Sequence, residues 1–349
     1  MGSIKKSKPI EVKNNKSLVE LLNDMLGTGF QGKNLASAYS IIKKMIEDKD
    51  TTIILGYSGS LSTTGQWKQV QWLIENNLVD IIVPTGANIS EDIIEAMGFN
   101  YYQCPVKFDD TDLFKEGYNR YHDILGKEDD YLEMTELIAE FILSLESNYS
   151  YSSREFLYQF GIWLNDRNIK SIVTAGAMNN VPIFCPAIVD SPYGDAALIA
   201  KSKGFKLSID TVKDYTEFMS LAECVVDTGV IYIGGGVPKD FIQLFSVTAD
   251  LMYENRRIPN RDSHEIRKGT NESYYPHKYA VQITTDSPQW GGLSGCTFTE
   301  AISWGKESDN GNLVQCYCDA TIALPIIIQA LKDSLDLNRK KKNLFTLVK

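Results

Sequence analysis

Histidine is scarce in this chain: three occur in 349 residues, at 122, 264 and 277. All three fall in polar stretches without metal-ligand spacing, so neither a zinc site nor a Ser-His-Asp or Cys-His centre is expected. Cysteine is thin too, with six residues at 104, 185, 224, 296, 316 and 318, mostly inside apolar runs and never as CxxC. Buried free thiols in a reducing, cytoplasmic setting are expected, not disulfides. Basic charge is outnumbered, 35 Lys and Arg against 45 Asp and Glu, for a net charge of −10. That excludes a basic nucleic-acid face and is compatible with a polycationic substrate. No apolar run is long enough to span a bilayer, and Met1-Gly-Ser-Ile-Lys-Lys lacks a signal core. Neither membrane insertion nor secretion is expected. Internal repeats and low-complexity segments are also missing. With 43% hydrophobic and 23% charged residues, the chain reads as a soluble globular protein.

What is present is alternation. Residues 1–16 are basic and polar, and Ser17-Leu-Val-Glu20 has capping-box spacing, which predicts a short helix to about Met25 within an N-terminal arm, residues 1–30. Asn34 is expected to cap a second helix from 35 to about 47, with Ala38, Ile41, Ile42 and Met45 on one face. Strands are predicted at 52–56, 79–83, 181–189, 229–234, 279–284 and 312–318. Helices are predicted from about 66 to 76, from Ser90 onward, and from 324 to about 335. An acidic, mostly helical insertion is expected over about 101–165, with helices near 135–145 and 153–164. The charged, turn-rich connection 253–278 reads as a lid, an interface element or an unstructured loop. Residues 336–349 read as a solvated basic tail. The pattern predicts an α/β fold, doubly wound around a mostly parallel sheet, Rossmann-like and with helical insertions. Residues 31–335 are expected to form one catalytic domain whose ligands lie at the C-terminal ends of the strands.

Four stretches carry the candidate chemistry. The loops Tyr57-Ser-Gly-Ser-Leu-Ser-Thr-Thr-Gly65 and Pro84-Thr-Gly-Ala-Asn88 suit close backbone approach to a phosphate or ribose, and equally describe helix caps. Asp190 and Asp195 follow the 181–189 run, where substrate carboxylates would stand, or an Asx turn and an N-cap. In Gly229-Val-Ile-Tyr-Ile-Gly234-Gly-Gly236-Val-Pro238-Lys-Asp an apolar strand enters three glycines, and Pro238 stands in the first helical turn. Such a turn exposes backbone N–H groups to a pyrophosphate. It is neither GxGxxG, since Lys239 takes the last glycine's place, nor a P-loop. Finally, Gly295-Cys-Thr-Phe-Thr-Glu300-Ala-Ile-Ser-Trp304-Gly-Lys306 reads as a short helix with Glu300 and Trp304 on one face and Lys306 released past Gly305. Carboxylate, indole and amine together fit a cationic substrate and a nucleophilic lysine. The same residues also describe a core Trp and a solvated lysine at a helix end.

Taken together, Gly56-Tyr-Ser-Gly-Ser-Leu, Val83-Pro-Thr-Gly, Glu91-Asp92, Pro186-Ala-Ile-Val-Asp190, Asp195, the triple glycine, Glu300-Ala-Ile-Ser-Trp-Gly-Lys306 and Tyr317-Cys-Asp319-Ala320 resemble the deoxyhypusine synthase family in order and spacing. The resemblance covers most of residues 30–335; its specific parts are the triple glycine and Ser-Trp-Gly-Lys. It implies an NAD-dependent, cytoplasmic homotetramer with active sites across a dimer interface. Its reaction moves a 4-aminobutyl group from spermidine through Lys306 to one lysine of the translation initiation factor 5A precursor. It assigns Asp195, Glu300 and Trp304 to the polyamine, with Glu91, Gly291 and Leu293 around the same substrate. It assigns Gly59, Ser60, Thr63, Thr85, Gly86 and Ala87 to NAD, together with Glu91, Asp190, Gly235, Thr285, Asp286, Asp319 and Ala320. Lys306 would have to be partly unprotonated to attack, which burial or cationic neighbours favour. Two positions depart from the family: Asp240 stands where a histidine is common, and Leu293 where eukaryotic members carry a polyamine carboxylate. Asp240 could still move a proton or hold a cation. The departures keep two alternatives open: a homospermidine synthase-type relative that uses putrescine as acceptor, and an inactive NAD-binding paralogue.

Overall fold

The computed structural model describes residues 4–259, 261–262, 265–266, 273–309 and 311–344. His264 and part of the 253–278 connection lie outside these residues. The chain divides into two compact units, one built from Met1–Tyr57, Asn76–Asp80 and Met219–Lys342, the other from Ser58–Glu75, Ile81–Phe218 and Asn343–Lys349.

The first unit contains four parallel strands, labelled within it β1 (Thr51–Tyr57), β2 (Asp227–Ile233), β3 (Tyr279–Thr284) and β4 (Leu313–Tyr317), in the order β4-β3-β2-β1. Every β1 position is buried, as expected of a parallel strand covered on both faces. The covering helices are α1 (Leu18–Met25), α2 (Phe30–Glu47), α3 (Gly236–Thr248), α4 (Phe298–Ser303) and α5 (Ala320–Ser334). Two glycines show how tightly they lie. A Cβ on Gly229 would meet Met45 of α2 at 2.5 Å, and one on Gly56 would meet Ile242 of α3 at 2.5 Å. Gly229 pairs with Ile53, three residues before Gly56 on β1, so α2 and α3 cover opposite faces of the sheet.

The capping box of α1 forms as expected: Glu20 N donates to Ser17 Oγ at 3.2 Å and Ser17 N to Glu20 Oε2 at 2.8 Å. Helix α2 starts four residues before the expected Asn34 cap, with Gly29 at its N-cap and Phe30 at φ 55°. Its buried face does hold Ala38, Ile41, Ile42 and Met45.

The basic tail is not simply solvated. Arg339 grips Asp80 with both η nitrogens, at 2.9 and 2.6 Å, and also donates to Asn77 O at 2.7 Å and Thr51 O at 3.1 Å. Only 8% of the arginine side chain and 2% of the aspartate are exposed. A planar guanidinium matches a carboxylate in two places at once, which makes a desolvated pair possible.

In the second unit the 181–189 run is not a strand. Ile183 makes a single parallel bridge with Ile82, and the chain then turns through residues 186–189. Pro182 and Pro186 have no N–H to give a ladder, and Cys185 N goes instead to Ser153 Oγ at 2.7 Å. Nor is the insertion mostly helical throughout. Glu128–Leu143 and Ser153–Asn165 are helices. Ahead of them, Tyr102–Gln103, Tyr118–Tyr121 and Ile124–Lys127 form a three-stranded antiparallel sheet. His122, at φ 55°, makes the tight turn between the last two strands. Their aromatics meet edge to face, Tyr101 on Tyr121 and Tyr102 on Tyr118. This packing outweighs the acidic composition from which a helix was expected.

All six cysteines are free, Cys185 and Cys316 buried and Cys224 exposed, so the thiols are less uniformly interior than their apolar neighbours implied. Among the described residues no helix is long and apolar enough to cross a membrane, and no cluster of three or more His, Cys, Asp or Glu could hold a metal ion.

Candidate active site

In the first unit, β2 runs into Gly234-Gly235-Gly236, and two of the three glycines are left-handed, Gly234 at φ 69° and Gly236 at φ 65°. Not all of their amides are open to a ligand, because Gly234 N donates to Ile283 O at 2.8 Å. Gly235 has no room for a side chain: a Cβ would lie 2.4 Å from Ser294 Cα. The loop that carries Gly291, Leu293 and Ser294 is therefore pressed onto the glycine turn.

Lys239 fastens that loop. Read in the sequence only as a failure of GxGxxG, it is fully buried and donates to Cys296 O at 2.8 Å, Leu293 O at 3.2 Å and Gln282 Oε1 at 3.2 Å. Burial lowers its pKa. Gln282 donates to Gly234 O and Ser294 O, both at 2.8 Å, and Gln315 donates to Gln282 Oε1 at 2.7 Å and Cys296 O at 3.0 Å. The sequence did carry a signal for this network. Gln282 and Gln315 interrupt two apolar strands, and the parallel register places them side by side.

The Lys306 amine is positioned by the end of α4. Gly305 adopts φ 80°, and a Cβ there would also strike Tyr274 at 2.5 Å; Gly305 N and Lys306 N close the helix on Ile302 O and Ala301 O at 2.9 and 3.1 Å. Lys306 Nζ then lies 2.9 Å from Asp240 Oδ1, four residues past the triple glycine, and 5.5 Å from the centroid of the Trp304 ring. Only 12% of the lysine side chain is exposed against 39% of the aspartate's. The core-Trp alternative fails, since Trp304 is 59% exposed. Glu300, in the first turn of α4, is exposed as well. Trp304 terminates the helix.

Thr285 and Asp286 sit exposed directly past β3, and Asp319 and Ala320 follow β4. Asp319 caps α5: its Oδ1 accepts from Thr321 N at 2.7 Å and Thr321 Oγ1 at 2.6 Å. These bonds lower its pKa. The triple glycine and both Asp-bearing turns thus lie at the C-terminal ends of neighbouring strands.

Next to Lys306 in the chain, and bonded to its backbone, are two groups that the sequence reading gave no part in the site. Glu307 is fully buried, accepts from Gln243 Nε2 at 2.7 Å, and is lifted by burial to about 7. His277, expected in polar surroundings, is fully buried; its Nδ1 lies 2.7 Å from Thr228 Oγ1 and its Nε2 3.2 Å from Ile242 O. Burial drives its pKa down to about 3, so it is neutral.

In the second unit, Asn88 joins the loop at 58–65 to the loop at 84–88. Its Oδ1 accepts from Leu61 N at 3.0 Å, its backbone O from Ser62 Oγ at 2.6 Å, and its Nδ2 donates to Thr85 Oγ1 at 2.8 Å. Gly59 and Ser60 stay exposed while Thr63 and Gly86 are buried and Ala87 is partly covered. Ser191 packs on Gly86, where a Cβ would lie 2.4 Å from its Oγ. Ser191 also caps the helix Pro192–Ser202, whose first turn carries the exposed Asp195. Asp190 is exposed beside it. Glu91 is buried: burial and then the adjacent Asp92 lift its carboxyl to about 7, against a hydrogen bond from Tyr121. Its Oε2 has no hydrogen-bond partner. Tyr131 and Asp195 interact electrostatically. Asn88, Tyr121 and Tyr131 were not picked out from the sequence, because each depends on contacts far along the chain.

This is an α/β protein with a central, mostly parallel sheet whose strands end in a glycine turn beside a half-buried lysine. A family model described as deoxyhypusine synthase matches residues 20–331. "Probable deoxyhypusine synthase 2" of Methanosarcina mazei is 41% identical over 327 residues, 93% of this chain and 89% of that one. The protein of the same name from Archaeoglobus fulgidus is 41% identical over 321 residues, 92% and 99% of the two chains. A crystal structure carrying the deoxyhypusine synthase name, from Entamoeba histolytica, shares the fold with a TM-score of 0.61 at 21% identity, over 97% of this chain and 99% of that one. The chain belongs to the deoxyhypusine synthase family.

Proposed function

We propose that this protein is an NAD-dependent aminobutyl transferase that takes the group from spermidine, carries it on Lys306 and delivers it to a lysine of the translation initiation factor 5A precursor. The observation that carries the reading is the Lys306 amine, mostly buried, 2.9 Å from the Asp240 carboxylate and beside an exposed indole.

The residues present suit NAD. A buried Glu91 oxygen without a partner is an acceptor for a ribose hydroxyl, and the Cβ directions of Gly59 and Gly236 are open to close approach. Glycine-rich turns at the ends of parallel strands would hold its pyrophosphate. The residues proposed to hold the cofactor are Gly59, Ser60, Thr63, Thr85, Gly86, Ala87, Glu91, Asp190, Gly235, Thr285, Asp286, Asp319 and Ala320. When bound, NAD supplies the acceptor and later the donor of one hydride, so the overall transfer has no net redox change. The protein's part is to hold a flexible trication and provide a nucleophile. Asp195 and Glu300 pair with ammonium groups, and Trp304 covers methylenes while offering its π-face to charge. In the resting state Asp240 Oδ1 holds the Lys306 amine at 2.9 Å. A polyamine ammonium competing for Asp240 would release the Lys306 nitrogen to act as the nucleophile. The nitrogen then attacks the activated carbon beside the secondary amine, 1,3-diaminopropane leaves, and the aminobutyl group stays on Lys306 as an imine until an acceptor amine displaces it.

Purified protein incubated with NAD and labelled spermidine should form an adduct trapped by borohydride, and Lys306→Ala should abolish it. Trapping that persists in the variant would refute the assignment of the nucleophile. Supplying the factor 5A precursor and putrescine in parallel reads the acceptor, and label entering only the diamine would refute the protein-modifying step. Leu293, half-buried and apolar where eukaryotic members carry a carboxylate, motivates that second arm. The assembly in this reading is a cytoplasmic homotetramer.

A further inference from the structure

The first unit holds a recess at the end of its sheet opposite the glycine turn, where Lys342 bonds the start of β1. Helices α2 and α5 finish there, at Glu47 and Ser334, and residues at and beyond both ends line a cavity of about 560 Å³. That is the size of a small-molecule site. Ile46 and Leu335 supply apolar surface, and the wall is more apolar than polar although every other lining residue is charged or polar. Lysine methylenes therefore form part of that wall. Five cations border the cavity against two carboxylates, Glu47 and Asp336. Arg339 is engaged by Asp80, Glu47 lies 3.8 Å from Lys43 Nζ, and Asp336 accepts from Asn338. Among the described residues no carboxylate pairs with Lys49, Lys340, Lys341 or Lys342. The Lys342 ammonium is half-buried and donates only to neutral oxygens, Asp50 O at 3.0 Å and Thr52 Oγ1 at 3.3 Å. Burial lowers its pKa. In a chain of net charge −10 this is a local reversal of sign, and it draws anions.

We propose that this recess binds a small amphiphilic carboxylate, a compound with one acid group and a hydrocarbon body, such as a medium-chain fatty acid. The acid pairs with Lys341 and Lys342, and the hydrocarbon lies against Ile46, Leu335 and the lysine stems. Each half of the ligand answers one property of the cavity. The carboxylate gives the half-buried Lys342 ammonium the counterion it lacks, which offsets the cost of taking that charge out of water. The hydrocarbon covers apolar wall that water would otherwise wet. A bare anion would leave the wall uncovered, and a neutral hydrocarbon would leave the lysines unpaired. The recess lies where β1 begins, whereas the residues proposed for NAD in this unit follow the ends of β2, β3 and β4. Neither reading depends on the other.

Isothermal titration of the whole chain with decanoate, kept below micelle-forming concentrations, should show saturable binding of one molecule per chain. Hydrogen exchange should slow at residues 335–342 when decanoate is bound, because the ligand ties that segment down. Decanol, the same body without the acid, and inorganic phosphate, an anion without the body, should each bind about tenfold more weakly or worse. Lys341→Gln with Lys342→Gln, which keeps an amide donor for Asp50 O, should weaken decanoate binding by about tenfold or more. Leu335→Trp fills the recess and should weaken it as much; it serves if the double variant does not fold. No saturable binding, or slowed exchange only outside residues 335–342, overturns the site. Decanol or phosphate matching decanoate overturns its chemistry, and wild-type affinity in either folded variant overturns the residues assigned.

Discussion

Replacing Arg339 by Met should cost far more than a change in a charged tail normally does. The substitution keeps an apolar stem and removes the guanidinium that holds Asp80 at 2.9 and 2.6 Å and also serves Asn77 O and Thr51 O. What remains is an aspartate with 2% exposure and the Ile53 amide, 2.8 Å away, as its donor. Breaking one side of a buried pair costs about 3–5 kcal/mol, because the surviving charge is left without compensation. Residues near the chain end can lift away and admit water, so the lower figure, about 3 kcal/mol, is the expected loss. For a unit of this size that lowers the melting temperature by roughly 6–12 °C. Urea unfolding gives the total, and hydrogen exchange at the Ile53 amide reads the site itself. A loss under about 1 kcal/mol, with unchanged Ile53 protection, would mean that the tail is a solvated surface segment and the reasoning is wrong.

Two further outcomes test other parts of the structure. Asp92 is fully buried and lifted to about 7 by burial, so the native state holds its proton between the unfolded pKa near 4 and about 7 while the unfolded state does not. Stability contributed by that group is therefore full below pH 4 and falls by about 1.4 kcal/mol per pH unit up to 7. Asp92→Asn, whose oxygen can still accept from Ile172 N, should flatten this slope between pH 5 and 7 in urea midpoints; an unchanged slope refutes the assignment. Lys239→Met takes one donor from each of Leu293 O and Cys296 O, which keep Cys296 N at 3.2 Å and Gln315 Nε2 at 3.0 Å, so a loss of about 1 kcal/mol is expected. Faster proteolysis within residues 287–296 and an NAD affinity lower by about tenfold are expected. Wild-type values for both would show that the loop is held elsewhere.

Much of the fold was legible because its local signals agree with their surroundings. Strands β1, β2 and β3 appear within a residue or two of their apolar runs, since a strand covered on both faces needs continuous apolar side chains. Ser17 and Glu20 cap α1 because a capping box needs only four neighbouring residues. The failures have equally definite causes. The 181–189 run has strand composition, but its two prolines cannot join a ladder. The acidic stretch around 101–127 folds as a sheet, because tyrosine pairs far apart in sequence outweigh helical composition. The Asn34 cap was a sound local signal that lost to an earlier start at Gly29.

At the candidate site the division follows from physics. Residue type and spacing alone specified a carboxylate, an indole and an amine separated by a helix end, and three glycines after a strand, because these are short-range facts of chain geometry. The partner of the amine lay beyond their reach. Asp240 is 66 residues before Lys306 and meets it only once β2 and α3 have packed beside the chain that follows α4. Whether a lysine is solvated or held, a histidine charged or neutral, or a glutamate ordinary or lifted to about 7 depends on how much water the folded chain excludes, and that is a property of packing in three dimensions.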